Sequence, residues 1–271
     1  LQHNGWFPML DVIYRDTRNT LSDRIVMVDG PVSSVMNLNA PDQPPVAVFL
    51  RDLVDSSSDR GESVKTTAID LHRQFYDQGM TPFISEIKLE RDKITMKGTA
   101  LLTHGGKYAA SLGFQETVLL LILRGEDTQG MSLSYAIPGE PGTGPFARDR
   151  LSFTLGKTNA KINTSYQDGR FHFQIRMKSK ISISEELLPH TIWSNEQDLL
   201  RKIEEKVEED FKNILRKFQE SRVDPVGFGI YARAYEYPHF KPVRDNWAEE
   251  LSRAKFDVDV QLKIESIGPV Q

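Results

Sequence analysis

The chain contains no cysteine, and this absence excludes disulfides, thiolate metal sites and thiol nucleophiles. Long hydrophobic runs are also missing, because the longest purely aliphatic stretch covers residues 118–123, far short of the roughly 20 residues that cross a bilayer. A basic excess is lacking as well, since the formal net charge is -4. The sequence therefore argues against a membrane span within this chain and against nucleic-acid binding, which usually requires strong positive charge.

What is present describes a folded protein. Hydrophobic residues make up 39% of the 271 residues and charged residues 27%, which is typical of a globular rather than a disordered chain. The length exceeds the roughly 100 to 200 residues of one domain, so more than one domain is expected. The first residues show neither the basic nor the apolar region of a signal peptide, and we expect a mature or truncated form.

Alternation of apolar and polar residues predicts two β-hairpins. The first covers residues 83–98 with a turn at residues 91–92, and the second turns at residues 168–169, an Asp-Gly pair whose glycine tolerates positive φ. Residues 171–183 then place an apolar face toward a core and a basic face toward solvent. Residues 256–264 repeat this alternation and predict a last strand.

Spacing of three or four residues predicts a long amphipathic helix at residues 195–222. Ser194 and Gln197 fit a capping box at its start. A further helix is expected to begin at Asp224-Pro225, because Asp accepts from free N–H groups and Pro suits the first helical position. The apolar stripe of the long helix consists of Leu200, Ile203, Val207, Phe211, Ile214 and Phe218.

Shorter helices are predicted at residues 46–54 and 67–76, with a polar loop at residues 55–63 between them. The stretch from 125 to 149 is rich in Gly and Pro and is interpreted as a surface excursion. Together these elements predict an α+β fold in which mixed or antiparallel sheets pack against long amphipathic helices.

Three units are predicted along the chain. Residues 1–80 form the remainder of an N-terminal α/β domain, and residues 81–150 contribute a hairpin, a short helix and a loop. Residues 151–271 supply a sheet and long helices. The second and third units together form the C-terminal region.

No motif predicts catalysis. A GxSxG element and a Walker-type phosphate loop are absent, and Ser111 and Ser152 have no base nearby in the sequence. The acidic residues within 204–210 lie among Arg201, Lys202, Lys206 and Lys212, which indicates a solvated, salt-bridged helix face rather than paired catalytic carboxylates. We therefore predict no catalytic residue.

Cofactor and metal sites are not predicted either. Residues 227–232 formally match GxGxxA, but no strand precedes them, so we interpret Gly227 and Gly229 as allowing close helix packing. The six histidines show no HxH or HxxxH spacing.

Two surface features remain as candidates for binding. Arg176, Lys178 and Lys180 lie on one strand face, where they either contact anionic headgroups or an acidic partner, or pair with Asp257 and Asp259. Aromatic residues in the region 224–247 suit an interface, although Tyr and Trp also fill cores. The candidate partner-interface residues are Asp224, Gly227, Gly229, Tyr231, Tyr235 and Trp247.

Five sequence blocks stand out between residue 81 and residue 268. They are TPFISEIKLERDKITMKGTALL, GKYAASLGFQETVLLLILRG, TNAKINTSYQDGRFHFQIRMKSKISISE, VDPVGFGIYARAYEY and DNWAEELSRAKFDVDVQLKIESIG. These blocks resemble the C-terminal region of the Ger(x)C spore germination family and follow each other in family order. Residues 1–80 resemble the later part of the N-terminal domain of that family less distinctively.

The resemblance implies a non-enzymatic lipoprotein subunit of a nutrient germinant receptor. It implies attachment to the outer face of the spore inner membrane through a lipidated, palmitate-bearing cysteine outside this chain. It also implies two membrane-embedded partners, the A and B subunits, on which the ectodomain docks to support receptor assembly or signalling.

Two alternatives stay open. One is a small-molecule module that holds a nutrient in a cleft between the domains, and the other is a hydrolase with an unrecognised site.

Overall fold

The computed structural model describes residues 14–15, 21–38, 44–136, 150–183 and 196–267. Two four-stranded sheets and the helices between them make up the described part of the chain. Both sheets are mixed, and the predicted α+β class is confirmed.

The first sheet contains β1 (Val26–Asp29), β2 (Phe83–Glu90), β3 (Lys93–Leu102) and β4 (Tyr108–Leu112) in this order. β1 runs parallel to β2, and the other pairs are antiparallel. The turn at residues 91–92 has φ angles of 48° and 61°, so the predicted first hairpin is confirmed. The predicted domain boundary at residue 80 falls between β1 and β2, which belong to the same sheet. The division into domains stays a prediction.

Three helices of the described residues lie between β1 and β2 in the chain, and they cover both faces of the first sheet. They are α1 (Val32–Met36), α2 (Val46–Asp59) and α3 (Ala68–Tyr76), and α3 begins with a capping box at Thr67. The predicted helices are confirmed, but α2 continues through residues 55–59, where a loop was predicted. The helix extends because the polar stretch is not fully solvated, as the prediction assumed. Ser57 within it is buried.

Helix α4 (Phe114–Leu123) lies between the two sheets. Its residues from 117 to 123 are all buried, which explains the continuous aliphatic run in the sequence. The largest apolar cluster includes this helix and residues of both sheets, so the sheets share one core.

The second sheet contains β5 (Ser132–Ala136), β6 (Arg150–Gln167), β7 (Arg170–Ile183) and β8 (Lys255–Ile267) in this order. The first three strands are antiparallel and β8 runs parallel to β7, which confirms the hairpin at residues 168–169 and the last strand. The expectation of a surface excursion was wrong for β5. Leu133 and Tyr135 are buried there and bring this segment into the core.

Helix α5 (Glu196–Ser221) packs along the second sheet through the predicted apolar stripe, in which Leu200 is only partly buried. The predicted cap at Ser194 lies outside the described residues. Two acidic side chains were wrongly assigned to a purely solvated face. Glu204 accepts a hydrogen bond from the backbone N–H of Leu262 at 2.8 Å, and Glu208 accepts one from Val260 at 3.2 Å, so both satisfy donors on β8.

Short helices return the chain from α5 to β8. They are α6 (Phe228–Tyr235), α7 (Tyr237–Phe240) and α8 (Trp247–Ser252), with one 3₁₀ turn at Arg244–Asn246. The helix predicted from Asp224 begins four residues later. Asp224 caps it from within the preceding loop.

Candidate functional site at the junction of the two sheets

Asp224 lies at the centre of the candidate site, in the loop that joins α5 to α6. Its side chain is fully buried, and its carboxylate accepts four hydrogen bonds. Oδ1 accepts from the backbone N–H groups of Gly227 and Phe228 at 2.7 and 2.9 Å. Oδ2 accepts from the backbone N–H of Gly229 at 2.9 Å and from the indole Nε1–H of Trp247 at 2.7 Å. Both carboxylate oxygens are therefore satisfied inside the protein.

The start of α6 provides three of these donors. Free N–H groups at a helix N-terminus carry partial positive charge, which favours an anion. Burial raises the pKa of the Asp224 carboxyl, while the hydrogen bonds from Gly229, Trp247, Phe228 and Gly227 oppose that shift because they favour the charged form. The chain enters the helix through Gly227, whose φ of 89° suits glycine.

The main chain of Asp224 is bound to the first sheet. Its N–H donates to Thr81 Oγ1 at 2.8 Å, and its carbonyl oxygen accepts from the N–H of Thr81 at 2.8 Å. Thr81 lies just before the start of β2 and 143 positions before Asp224 in the sequence. This reciprocal pair ties the loop after α5 to the first sheet.

Two glycines bring the same segments into backbone contact. A Cβ atom at Gly229 would lie 2.5 Å from the Cα atom of Gly79, and a Cβ atom at Gly79 would lie 2.7 Å from the carbonyl carbon of Gly229. Atoms at these separations overlap, so neither position has room for a side chain. The interpretation of Gly229 as a close-packing residue is confirmed.

Trp247 carries the junction to the second sheet. Its ring packs edge-on against Phe171 of β7, with centroids 5.2 Å apart, and against Phe240 at 5.4 Å. Phe171 is fully buried. The indole therefore bonds to Asp224 through its N–H and to the core through its ring.

Polar contacts close the junction toward the solvent. Arg233 donates two hydrogen bonds to the carboxylate of Asp77, at 3.0 and 2.9 Å. Gln78 Nε2 donates to Asp245 Oδ1 at 2.7 Å. The segment from 77 to 81 is thus held to α6 and to the 3₁₀ turn by side chains as well as by its backbone.

A cleft of about 430 Å³ opens beside this junction. Its walls come from both parts of the chain, with Gln78 and His104 on one side and the 3₁₀ turn and α8 on the other. Charges of both signs line it. These charged residues are Arg222, Arg244, Asp245 and Glu249.

The predicted interface residues fall into two groups. Four of the six meet at the junction, namely Asp224, Gly227, Gly229 and Trp247. They are buried within this chain, so a partner would contact the residues that cover them rather than these four side chains. Tyr231 is half-buried, and Tyr235 is 68% exposed. Contact with a partner at these positions stays a prediction.

Sequence reasoning missed the other half of the junction. Asp77, Gly79 and Thr81 were not predicted as part of a site, since nothing local relates them to residues near 224. The available signal was a glycine and a threonine at the entry to an apolar strand. That signal is too common to indicate a long-range contact.

A second polar cluster lies on the first sheet. Glu86 is 1% exposed and accepts hydrogen bonds from Lys97 Nζ at 2.9 Å and from the hydroxyl of Ser111. Lys97 also contacts Asp29 at 2.9 Å, and the bonds to Glu86 and Asp29 raise the pKa of the lysine. Ser111 therefore contacts a carboxylate that is distant in the sequence, and Lys97 already forms an ion pair with that carboxylate.

The GxGxxA match does not form a dinucleotide site. The N–H groups of Gly227 and Gly229, which such a site would direct at phosphate, donate to Asp224 instead. Within the described ranges, no group of three or more His, Asp or Glu side chains is arranged to hold a metal ion. No helix among the described residues is long and apolar enough to cross a bilayer.

The fold and the site define an α+β protein in which the loop that carries a buried carboxylate links two mixed sheets, through Thr81 on one side and Trp247 on the other. The chain belongs to the spore germination B3/GerAC-like family. The C-terminal domain of that family matches residues 97–268, and the spore germination protein N-terminal domain matches residues 1–89. The resemblance found in the sequence blocks is thereby confirmed.

Two known proteins show the same relationship. Spore germination protein B3 of Bacillus subtilis (strain 168) is 25% identical over 269 residues, which are 97% of this chain and 69% of that protein. The crystal structure of the GerBC protein matches with a TM-score of 0.72 at 20% identity, covering 97% of this chain and 75% of that chain. The latter likeness shows a shared fold.

Proposed function

We propose that this protein is a non-enzymatic subunit of a spore nutrient germinant receptor, where it docks on membrane-embedded A and B subunits and supports assembly or signalling. The observation that carries this proposal is the succession of both spore germination domains along the chain. In this proposal a lipidated cysteine outside this chain anchors the protein to the outer face of the spore inner membrane.

The junction supports a scaffolding role. The Asp224 carboxylate binds four donors of its own chain, and the facing backbones are in direct contact through Gly79 and Gly229. Such an arrangement fixes the position of one sheet relative to the other. A subunit that binds two partners at once requires this rigidity. The site offers a held carboxylate rather than a group poised to react.

The surface above the junction supplies a docking candidate. Tyr235 is 68% exposed, Tyr237 is 52% exposed and Ile230 is 36% exposed. All three belong to α6 and α7, which the junction fixes from below. Aromatic side chains on a rigid support are typical anchors of protein interfaces.

Deletion and complementation in spores test the proposal. We expect loss of the nutrient response on deletion, recovery with the wild-type chain, and weak recovery with Tyr235→Ala combined with Tyr237→Ala. Tyr108→Ala, at an exposed tyrosine of the first sheet, is the matched control and should recover fully. Crosslinking in spore membranes should join the wild-type chain to the A and B subunits. A normal nutrient response after deletion would contradict the receptor role.

A second candidate function is nutrient binding in the cleft beside the junction. The observation that favours it is the pairing of two arginines with two carboxylates in a cleft of about 430 Å³, which suits a small zwitterion or polar molecule. Calorimetric titration with amino acids and sugars tests it. Heat of binding that Arg244→Ala removes and Arg216→Ala retains would support this function, whereas no heat with any ligand would eliminate it.

A further inference from the structure

The outer face of the second sheet consists of the solvent-facing residues of β6, β7 and β8. On β7 these residues alternate with fully buried ones, and no described helix covers them. Eight Lys or Arg side chains of the described residues face outward here: Lys157, Lys161, Arg170, Arg176, Lys178, Lys180, Lys255 and Lys263. Three carboxylates share the face: Asp257, Asp259 and Glu265.

Each of these three carboxylates already has a cationic partner. Arg176 contacts Asp259 at 3.2 Å, Lys180 contacts Glu265 at 2.6 Å, and Lys255 contacts Asp257 at 3.7 Å. The expected pairing across strands is therefore correct for Arg176, and Lys180 pairs with a different acid. Four lysines of this face have no ion pair among the described residues: Lys157, Lys161, Lys178 and Lys263.

This surplus opposes the charge of the whole chain, which is -4. Lys180 and Lys263 stand directly opposite each other in the register of β7 and β8, an unfavourable placement for like charges. Together with Lys157 and Lys178, these two lysines supply half of the residues that line a shallow groove of about 420 Å³; the other lining residues are Asn159, Ser179, Gln261 and Leu262. Cations concentrated in this way on an acidic protein favour an anionic ligand with several negative charges.

The shape of the face distinguishes between anionic ligands. None of the exposed large hydrophobic side chains of the described residues lies on β6, β7 or β8. The face therefore lacks the aromatic or aliphatic anchors on which protein interfaces depend. It is instead a broad polar sheet surface with flexible lysine stems, which suits a plane of lipid headgroups.

We propose that the outer face of the second sheet binds a membrane surface rich in anionic phospholipid headgroups. The proposal does not rest on the receptor role, since binding to vesicles is a property of the isolated chain. Each basic residue at such a surface strengthens binding about fivefold.

Vesicle flotation with the full chain tests the proposal. We expect binding to vesicles of phosphatidylcholine mixed with phosphatidylglycerol and none to pure phosphatidylcholine. Raising the salt from about 0.1 M to about 1 M shortens the screening length from about 10 Å to about 3 Å and should release the protein. Lys178→Glu combined with Lys263→Glu should weaken partitioning about 30-fold or more, the factor for two lost contacts of that strength.

The matched control is Lys93→Glu combined with Lys107→Glu, which makes the same charge change at the start of β3 and just before β4 and should partition like the wild-type chain. Equal partitioning of both double variants, or equal binding to neutral vesicles, would overturn the proposal. Binding to a polyglutamate peptide without binding to anionic vesicles would overturn it in favour of an acidic protein segment. Release by inorganic phosphate at constant ionic strength would indicate a phosphate site and would also overturn it.

Discussion

The junction around Asp224 and the outer face of the second sheet differ in whether their charged side chains have partners within the chain. At the junction, one buried anion receives four N–H donors from its own chain. On the outer face, four lysines remain without an ion pair in the described part of the chain although they stand beside other cations. We call the first arrangement closed, because all partners of its charge lie within the chain. The second is open, because its charges are available to an external ligand.

The physical difference lies in solvation. A buried charge without partners is very costly, so a carboxylate is retained in a core only where donors replace its water. An exposed lysine keeps its water, and crowding with other lysines costs little. We therefore expect substitutions at the junction to change folding, and substitutions on the outer face to change binding.

Asp224→Ala tests the closed side of this comparison most severely. The substitution leaves three backbone N–H groups and one indole N–H buried without their acceptor. We expect a loss of about 3 to 5 kcal/mol in the free energy of unfolding, measured by urea denaturation. Asp257→Asn on the outer face is the control and should change stability by no more than about 0.5 kcal/mol. A loss below about 1 kcal/mol for Asp224→Ala would mean that the hydrogen bonds of this carboxylate contribute little to stability.

Trp247→Phe removes one of the four donors and keeps an aromatic ring against Phe171. Hydrogen bonds to charged groups contribute about 1.5 to 3 kcal/mol, so we expect a loss of about 2 kcal/mol. Circular dichroism in urea should follow the transition, because the substitution removes an indole fluorophore. Tyr235→Phe at an exposed position is the control. If both variants unfold at the same urea concentration, the indole bond to Asp224 contributes nothing.

Gly229→Ala probes the contact between the backbones. Its Cβ atom would lie 2.5 Å from Gly79 Cα, and overpacking of this kind costs about 1 to 3 kcal/mol. Gly105→Ala is the control, since the nearest atom to its Cβ would be 3.9 Å away. Thermal unfolding should separate the two variants. Equal midpoints would show that the segments can separate without cost.

Local features of the fold were predictable because their causes are local. The turn at residues 168–169 follows from a glycine that tolerates positive φ, the turn at residues 91–92 follows from the alternating pattern on both sides of it, and α5 follows from its apolar period. The capping role of Asp224 was also predictable, as was the close packing of Gly229. The capping role depends on neighbours within a few positions of the sequence, whereas Gly229 packs against Gly79, which lies in a distant segment.

Non-local features were not predictable in the same way. The parallel pairings of β1 with β2 and of β8 with β7 join segments separated by helices, and neither pairing leaves a turn signal. The bond between Thr81 and Asp224 spans 143 positions. Strand β5 was missed because glycine and proline around it dominate the composition, although Leu133 and Tyr135 are buried.

Lys263→Gln gives the smallest expected effect and tests the open side of the comparison by its sign. Lys263 faces Lys180 across β7 and β8, so removal of its charge relieves a repulsion and should stabilise the isolated protein by up to about 0.5 kcal/mol at low salt. High salt should abolish the gain. Lys93→Gln is the matched control, because Lys93 faces Glu90 in register and its loss should be neutral or slightly destabilising. Parallel urea titrations at low and high salt measure both variants. If Lys263→Gln destabilised the protein instead, Lys263 would have an internal partner, and its charge would not be free for an external anion.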